Sequence, residues 1–175
     1  VANVAWWELG QRVMASAEVR DVLVAIGRVA TTDAVRELVV AALANVAQSD
    51  VGRRVMAVNA VRDVLVAIGR VAATDAVREQ VATAVAHVAR SDVGQLVMAR
   101  DEVRDVLVAI GRAARADATR RQIALAVANV TKSPHGRRVM ATADVEGPLP
   151  FSQPSAPPRP TPLTAPPRGA CFGHP

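Results

Sequence analysis

The side chains best suited to catalysis or metal binding are few in this sequence, and their spacing matches no catalytic or metal-binding pattern. His87, His135 and His174 do not share a metal-binding spacing with Cys171, the single cysteine. The serines lack the Gly-x-Ser-x-Gly context of an activated nucleophile, and no phosphate-binding loop is present. We therefore expect a protein that is not an enzyme and that needs no metal ion or cofactor.

The basic side chains are the second chemical feature, because arginine and lysine can contact phosphates or an acidic protein. The formal net charge of the chain is +5. Residues 103–145 account for the excess, with 8 basic groups against 3 acidic ones. The cations of interest there are Arg115, Arg120, Arg121, Lys132, Arg137 and Arg138. The alternative is an ordinary solvated face, and no aromatic residues alternate with these cations for base stacking.

A repeat of 42 residues positions these side chains. The segment Val19–Arg28 recurs unchanged at Val61–Arg70 and Val103–Arg112, and residues 19–60 and 61–102 are identical at 30 of 42 positions. A period of this length indicates a helical solenoid, in which each unit buries its apolar face against its neighbours. We assign the array to residues 1–145, as a partial unit 1–18 and three repeats: 19–60, 61–102 and 103–145.

Each repeat predicts three helices. In the first repeat, apolar residues from Val19 to Ala30 fall on one face of a helix. A second apolar stripe predicts a helix over 34–47, preceded by the capping pair Thr32-Asp33. Ser49 predicts the start of a short helix from about Asp50 to Ala57, and its last copy, Ser133-Pro134, is a strong helix-start signal. We expect Leu23, Ile26, Leu43 and Met56, with their copies one period on, to form one continuous core.

A short helix followed by two longer ones in 42 residues resembles the armadillo repeat. The segment Asp33–Ala47 is similar to the armadillo third helix, whose end carries an asparagine; Asn45 and Asn129 occupy that column, His87 replaces it in the middle copy, and Asn3 stands in it within Val1–Ala5. The Asp-x-Val-Arg start followed by alanines is equally similar to the related HEAT repeat. The resemblance implies an all-α fold, a right-handed α-solenoid of about three 42-residue armadillo-like three-helix repeats.

The resemblance also implies a binding surface, because armadillo arrays bind extended peptides along a concave face lined by the third helix. We expect the polar row of that helix to form a ladder, and an asparagine amide can both donate to and accept from a peptide main chain. The predicted partner-binding residues are Asn3, Glu37, Asn45, Glu79, His87, Arg90, Arg121, Asn129 and Lys132. The alternative is that each asparagine caps its own helix end or satisfies a neighbouring loop.

Residues 146–175 have a different composition, with ten of the eleven prolines, and are predicted to be a disordered, polyproline-like tail. Within it, Pro154–Arg159 fits the Pro-x-x-Pro-x-Arg pattern of ligands for Src-homology-3 domains, with a plain linker as the alternative. No apolar run is long enough for a membrane span. We expect a cytoplasmic location, with the nucleus as the alternative.

Two functional hypotheses follow from these patterns. The first is a protein-interaction scaffold that binds an extended peptide or a partner protein on the concave face of the solenoid. The second is a binder of nucleic acid or of an acidic partner through the basic third repeat. Terminal repeats without a polar outer face expose apolar surface. We therefore also expect the chain to self-associate through its ends or to belong to a longer array.

Overall fold

The computed structural model describes residues 14–142, and the fold of this part of the chain is all-α. Asn3 and the proline-rich tail, with its Src-homology-3 ligand pattern, lie outside the described residues. The helices in chain order are α1 Ala17–Val29, α2 Asp33–Val46, α3 Asp50–Met56, α4 Asn59–Val71, α5 Asp75–Val88, α6 Asp92–Met98, α7 Asp101–Ala113, α8 Asp117–Val130 and α9 Pro134–Ala141. From residue 14 to residue 142, no helix has the length and apolar character needed to cross a membrane.

The short helices begin where the sequence predicts, because a serine caps each of them. The hydroxyl oxygens of Ser49, Ser91 and Ser133 accept from the backbone N–H of the glycine three residues on, at 3.0, 3.1 and 2.9 Å. Pro134 takes the first helical position of α9, where its missing N–H costs no hydrogen bond. Helix α2 begins and ends within one residue of the predicted 34–47.

Helices at equivalent positions pack against each other. α1 contacts α4, which contacts α7; α2 contacts α5, which contacts α8; and the short helices follow the same order. Glycine lies at two of these contacts: a Cβ built on Gly27 would lie 2.6 Å from Cγ1 of Val64, and one built on Gly69 would lie 2.5 Å from Cγ1 of Val106. The glycine of the repeated segment Val19–Arg28 therefore allows each helix to pack closely against its copy in the next unit.

The predicted core is confirmed in the middle of the structure, is wrong at Ile26, and holds only in part at Leu23, which is half-buried. Leu65, Ile68, Leu43 and Met98 are at most 2 % exposed. Ile26, by contrast, is 41 % exposed, although its copies Ile68 and Ile110 are each 2 % exposed. Ile68 is buried against Gly27 of the preceding unit. The described residues contain no such helix before α1, so Ile26 lacks the neighbour that covers its copies.

The glycine contacts predict opposite effects for one substitution in two identical local sequences. Gly69→Ala should lower the free energy of unfolding by about 1–3 kcal/mol, because the new methyl group meets Val106. Gly111→Ala should raise it by up to about 1 kcal/mol, since alanine is the better helix former. The nearest described atom to a Cβ at Gly111 is Cδ1 of Ile123, at 3.8 Å. Urea unfolding of both variants measures the two changes in the free energy of unfolding. Two losses of equal size would contradict this account of the glycine contacts.

Candidate partner-binding surface

Helices α2, α5 and α8 lie side by side and place the predicted ladder on one shared surface. Because the three helices are copies of one another, each ladder residue lies next to the residue one period later in the chain. None of the described ladder residues is buried. The half-buried members are Glu37, Glu79, His87 and Asn129, and the exposed ones are Asn45, Arg90, Arg121 and Lys132. The structure therefore brings these eight side chains onto an accessible surface.

The asparagine column joins each unit to the one before it. His87 Nδ1 lies 3.0 Å from the carbonyl oxygen of Ala44, and Asn129 Nδ2 donates to the carbonyl oxygen of Ala86 at 2.9 Å. Both carbonyls belong to the last turn of a helix, where the helix supplies no N–H partner. His87 and Asn129 thus satisfy a neighbouring helix end, which is close to the second interpretation of the column.

These bonds fix what the column can still offer to a ligand. A carbonyl oxygen only accepts, so His87 Nδ1 must carry the proton, and the Nε2 of the neutral ring is left as an acceptor. Asn129 commits one N–H of its amide and retains Oδ1 as an acceptor. Asn45 is exposed, and its Oδ1 accepts from Gln48 Nε2 at 3.2 Å. The column therefore presents hydrogen-bonding groups in all three repeats.

Charge changes sign along the surface. The position held by Glu37 and Glu79 in the first two repeats is Arg121 in the third. Gln48, Arg90 and Lys132 follow the C-terminal ends of the same helices.

Burial, with a smaller contribution from nearby Arg90, lowers the pKa of the Arg53 guanidinium, which donates to the Gln48 carbonyl at 2.6 Å. Positive charge thus gathers at this edge, where helix carbonyl ends favour cations.

The basic cluster of the third repeat divides into two groups. Arg120 pairs with Asp117 at 2.9 Å and donates to the carbonyl of Ala114. Arg137 donates to the carbonyls of Thr131 and Lys132 at 3.2 and 3.1 Å. These two arginines hold helix ends in place. The side chains of the others are exposed and form no hydrogen bond within residues 14–142; they are those of Arg115, Arg121, Lys132 and Arg138.

Two aspartates form a contact between repeats that the sequence analysis missed. Asp33 Oδ2 accepts from the backbone N–H groups of Ala73 and Thr74 at 3.0 and 3.1 Å. Asp75 Oδ2 accepts in the same way from Arg115 and Ala116 at 2.9 and 2.8 Å. We call this contact the aspartate clasp. Each carboxylate fastens the loop before the next unit's second long helix.

The clasp predicts a loss of stability in acid. The hydrogen bonds from Arg36 and then from Ala73 and Thr74 lower the pKa of Asp33, and those from Arg78 and the next loop lower that of Asp75. A lowered folded-state pKa stabilises the fold above the unfolded value, about 3.9, and this contribution disappears as pH falls through the folded values. The melting temperature should therefore decrease once the pH is lowered below about 4.

Asp75→Asn provides the mutational check of this pH dependence. It should lower the melting temperature at pH 7 and flatten its dependence on pH in acid, because the amide cannot gain or lose a proton there. Asp117→Asn is the matched control, since Asp117 occupies the same helix position but receives no N–H from a later unit among the described residues. Equal effects of the two variants, measured by circular dichroism, would contradict the clasp.

A cleft of about 540 Å³ lies beside the second clasp, and none of the ladder residues lines it. Its charged lining consists of Asp75 and Arg78, which bond to each other at 2.9 Å, together with Arg112 and Arg115. Because Asp75 and Arg78 neutralise each other, the charged groups left to a ligand are the side chains of Arg112 and Arg115, and the lining contains no nucleophile. Within the part of the chain that the structure describes, no group of three or more His, Cys, Asp or Glu side chains could hold a metal ion.

Comparisons with protein-family models, with curated proteins and with solved structures gave no match.

Proposed function

We propose that the chain is a protein-interaction scaffold: a right-handed α-solenoid of armadillo-like repeats that binds an extended peptide or a partner protein on the surface of α2, α5 and α8. Support for the repeat architecture comes from helices that contact their own copies one period along the chain. A stack of this kind provides a surface much longer than one unit, and such surfaces suit extended partners.

The column at Asn45, His87 and Asn129 is the observation that carries the proposal. His87 and Asn129 are each held by a bond to the preceding unit, so their remaining polar atoms are fixed in place before any ligand arrives. Side chains fixed in this way lose little freedom on binding, which favours affinity. Their acceptors match the N–H groups of an extended main chain.

The charge pattern gives the partner an orientation. Glu37 and Glu79 favour basic residues over the first two repeats, and Arg121 with Lys132 favours acidic residues over the third. A peptide with a basic portion and an acidic portion fits this surface in one direction only. Complementary charge of this type fixes register and selects between partners.

A random peptide library displayed on phage, selected on the immobilised full chain, tests the proposal. We expect enriched sequences that combine basic and acidic residues. A synthetic peptide of the enriched sequence should bind at one per chain in calorimetry. Thr83 is half-buried and lies one helical turn from both Glu79 and His87. Thr83→Arg places a bulky cation in the centre of the ladder and should weaken binding at least about tenfold, or about 1.4 kcal/mol. Ala67→Arg, at an exposed position of α4, is the control. A peptide equally insensitive to both changes would contradict the proposal.

The second candidate function is binding of nucleic acid or of an acidic partner, and the exposed cations Arg115, Arg121, Lys132 and Arg138 favour it. The logarithm of the binding constant for an oligonucleotide should then fall by about 0.9 per phosphate contact for each tenfold increase in salt concentration. Arg121→Gln and Arg138→Gln should each reduce that slope by about one unit. An affinity independent of salt and of both arginines would reject this candidate.

A further inference from the structure

The cleft beside the second aspartate clasp lies between two repeats and is built from three segments of the chain. The loop before α5 contributes Ala73, the first turn of α5 contributes Asp75 and Arg78, and the end of α7 with the loop after it contributes residues 112–115. The cleft volume of about 540 Å³ falls within the range of pockets that bind small molecules, roughly 300–1,000 Å³. Its size alone therefore permits a small ligand, and its lining decides which kind.

One guanidinium group of the lining is held in place by the clasp. Arg78 donates to Asp75 Oδ1 at 2.9 Å, while Asp75 Oδ2 accepts from the backbone N–H groups of Arg115 and Ala116. The side chain of Arg78 is only 17 % exposed. A guanidinium group carries five N–H donors, so the bond to Asp75 leaves donors of Arg78 free for a ligand.

The side chains of Arg112 and Arg115 give the cleft its excess of positive charge. Both are exposed, and neither forms a side-chain hydrogen bond or an ion pair within residues 14–142. Three arginines against one aspartate leave the lining with a net charge of +2. A phosphate monoester carries about −1.5 to −2 charges at pH 7, and the planar guanidinium group matches phosphate oxygens with two parallel hydrogen bonds. The charge and the donor geometry of the lining therefore both suit this group.

A comparison within the chain shows how this cleft differs from its counterpart. We call the contact between the first two repeats the first interface and the contact between the last two the second interface. Four of the seven lining positions are identical in the two interfaces: Asp33, Arg36, Arg70 and Ala72 in the first, and Asp75, Arg78, Arg112 and Ala114 in the second.

The other three positions change in a consistent direction. Val71 of the first interface is replaced by Ala113, and Thr31 is replaced by Ala73, so both side chains become smaller. At the last position, Ala73 is replaced by Arg115, which adds a cation. Between two interfaces of otherwise similar sequence, the differences thus provide space and positive charge at the second one.

We propose that the second interface is a binding site for a small molecule that carries a phosphate monoester. The phosphate group lies between Arg112 and Arg115, with Arg78 as a third donor, and the organic part contacts the methyl groups of Ala73 and Ala113. The inference is independent of the proposed peptide surface, because no ladder residue lines the cleft. Of the four exposed cations that favour nucleic acid, only Arg115 lines it.

Nuclear magnetic resonance of the full chain, titrated with inorganic phosphate and with phenyl phosphate at constant ionic strength, tests the inference. The amide resonances of residues 73–78 and 112–116 should shift and saturate, with one site per chain. Phenyl phosphate should bind more tightly than inorganic phosphate, because its ring covers apolar surface of the alanine wall.

The two interfaces supply matched variants. Arg112→Gln and Arg115→Ala should each weaken the binding of phenyl phosphate at least about tenfold, since each removes a charged hydrogen-bond donor. Ala113→Val should weaken it by filling the cleft. Arg115→Ala and Ala113→Val introduce the side chains that the first interface already carries, so helical content should be unchanged. Arg70→Gln is the control, because it removes the same charge at the equivalent place of the first interface and should leave the affinity unchanged.

Three results would overturn the inference. The first is a set of shifts that sodium chloride reproduces at the same ionic strength. The second is an affinity for phenyl phosphate that is equal in the Arg112→Gln, Arg115→Ala and Arg70→Gln chains. The third is binding of a 5′-phosphorylated oligonucleotide by a chain that does not bind phenyl phosphate, which would assign these arginines to the second candidate function instead.

Discussion

Replacing Gly94 by alanine should cost about 3 kcal/mol or more of the free energy of unfolding, the upper end of the range for overpacked sites. A Cβ at this position would lie 1.8 Å from the carbonyl oxygen of Val88 and 2.9 Å from Oγ of Ser91. The first of these atoms belongs to the main chain of α5 and cannot rotate away. Helix α6 would have to move as a whole and would lose the Ser91 cap at its start.

The same clash recurs in the other units, where a Cβ would lie 1.8 Å from the Val46 carbonyl oxygen at Gly52 and 2.0 Å from that of Val130 at Gly136. This is why glycine is retained at all three positions. Gly111→Ala is the matched control for the loss of glycine itself, since the same methyl group there makes only an ordinary van der Waals contact, with Ile123 Cδ1 at 3.8 Å. Urea unfolding of Gly94→Ala with a loss below about 0.5 kcal/mol would contradict the close approach of α6 to α5.

Leu65→Ala should cost about 2–5 kcal/mol, the range for a fully buried leucine that leaves a cavity. Leu65 is 1 % exposed in the middle of the core, and its helix α4 has a neighbour on each side, α1 and α7. The surrounding helices are held by their own contacts and cannot close the space. Chemical unfolding monitored by circular dichroism measures the loss.

Leu23→Ala is the matched control, because Leu23 occupies the same place in an identical decapeptide but is only half-buried. Its loss should be clearly smaller than that of Leu65→Ala. If Leu65→Ala cost less than about half a kcal/mol, the inner face of the first long helix would be misplaced.

The helices could be predicted closely because their start signals are local. Ser49, Ser91 and Ser133 each cap a short helix through a glycine N–H three residues on, and such a bond needs only neighbouring residues. The fold class follows from the same signals together with the helical spacing of apolar residues. The armadillo-like solenoid and its handedness remain predictions.

Burial could not be predicted from local sequence alone. The decapeptide at Val19–Arg28 is identical to that at Val61–Arg70, yet Ile26 is 41 % exposed and Ile68 is 2 % exposed. The difference comes from the neighbouring repeat, which covers one copy and not the other. A repeat sequence therefore predicts which face is apolar, and its position in the array decides whether that face is covered.

The candidate surface was predicted in outline, but the contacts that organise it were not. The polar row was identified from its spacing, and the structure adds that His87 and Asn129 bond to the preceding unit. The aspartate clasp had one signal in the sequence, an aspartate at the start of each second long helix: Asp33, Asp75 and Asp117. Such an aspartate also suits the helix N-terminus, so the reach to the next loop appears only in three dimensions.

Amide hydrogen exchange of the full chain tests most directly the claim that each unit is stabilised by its neighbours. Exchange reports the free energy of local opening along the chain. Helix α5 contacts both α2 and α8, whereas each of those contacts only α5 among the second long helices of the described residues. The account predicts the slowest exchange in α5. Protection in α2 or α8 that equals or exceeds that of α5 would contradict it.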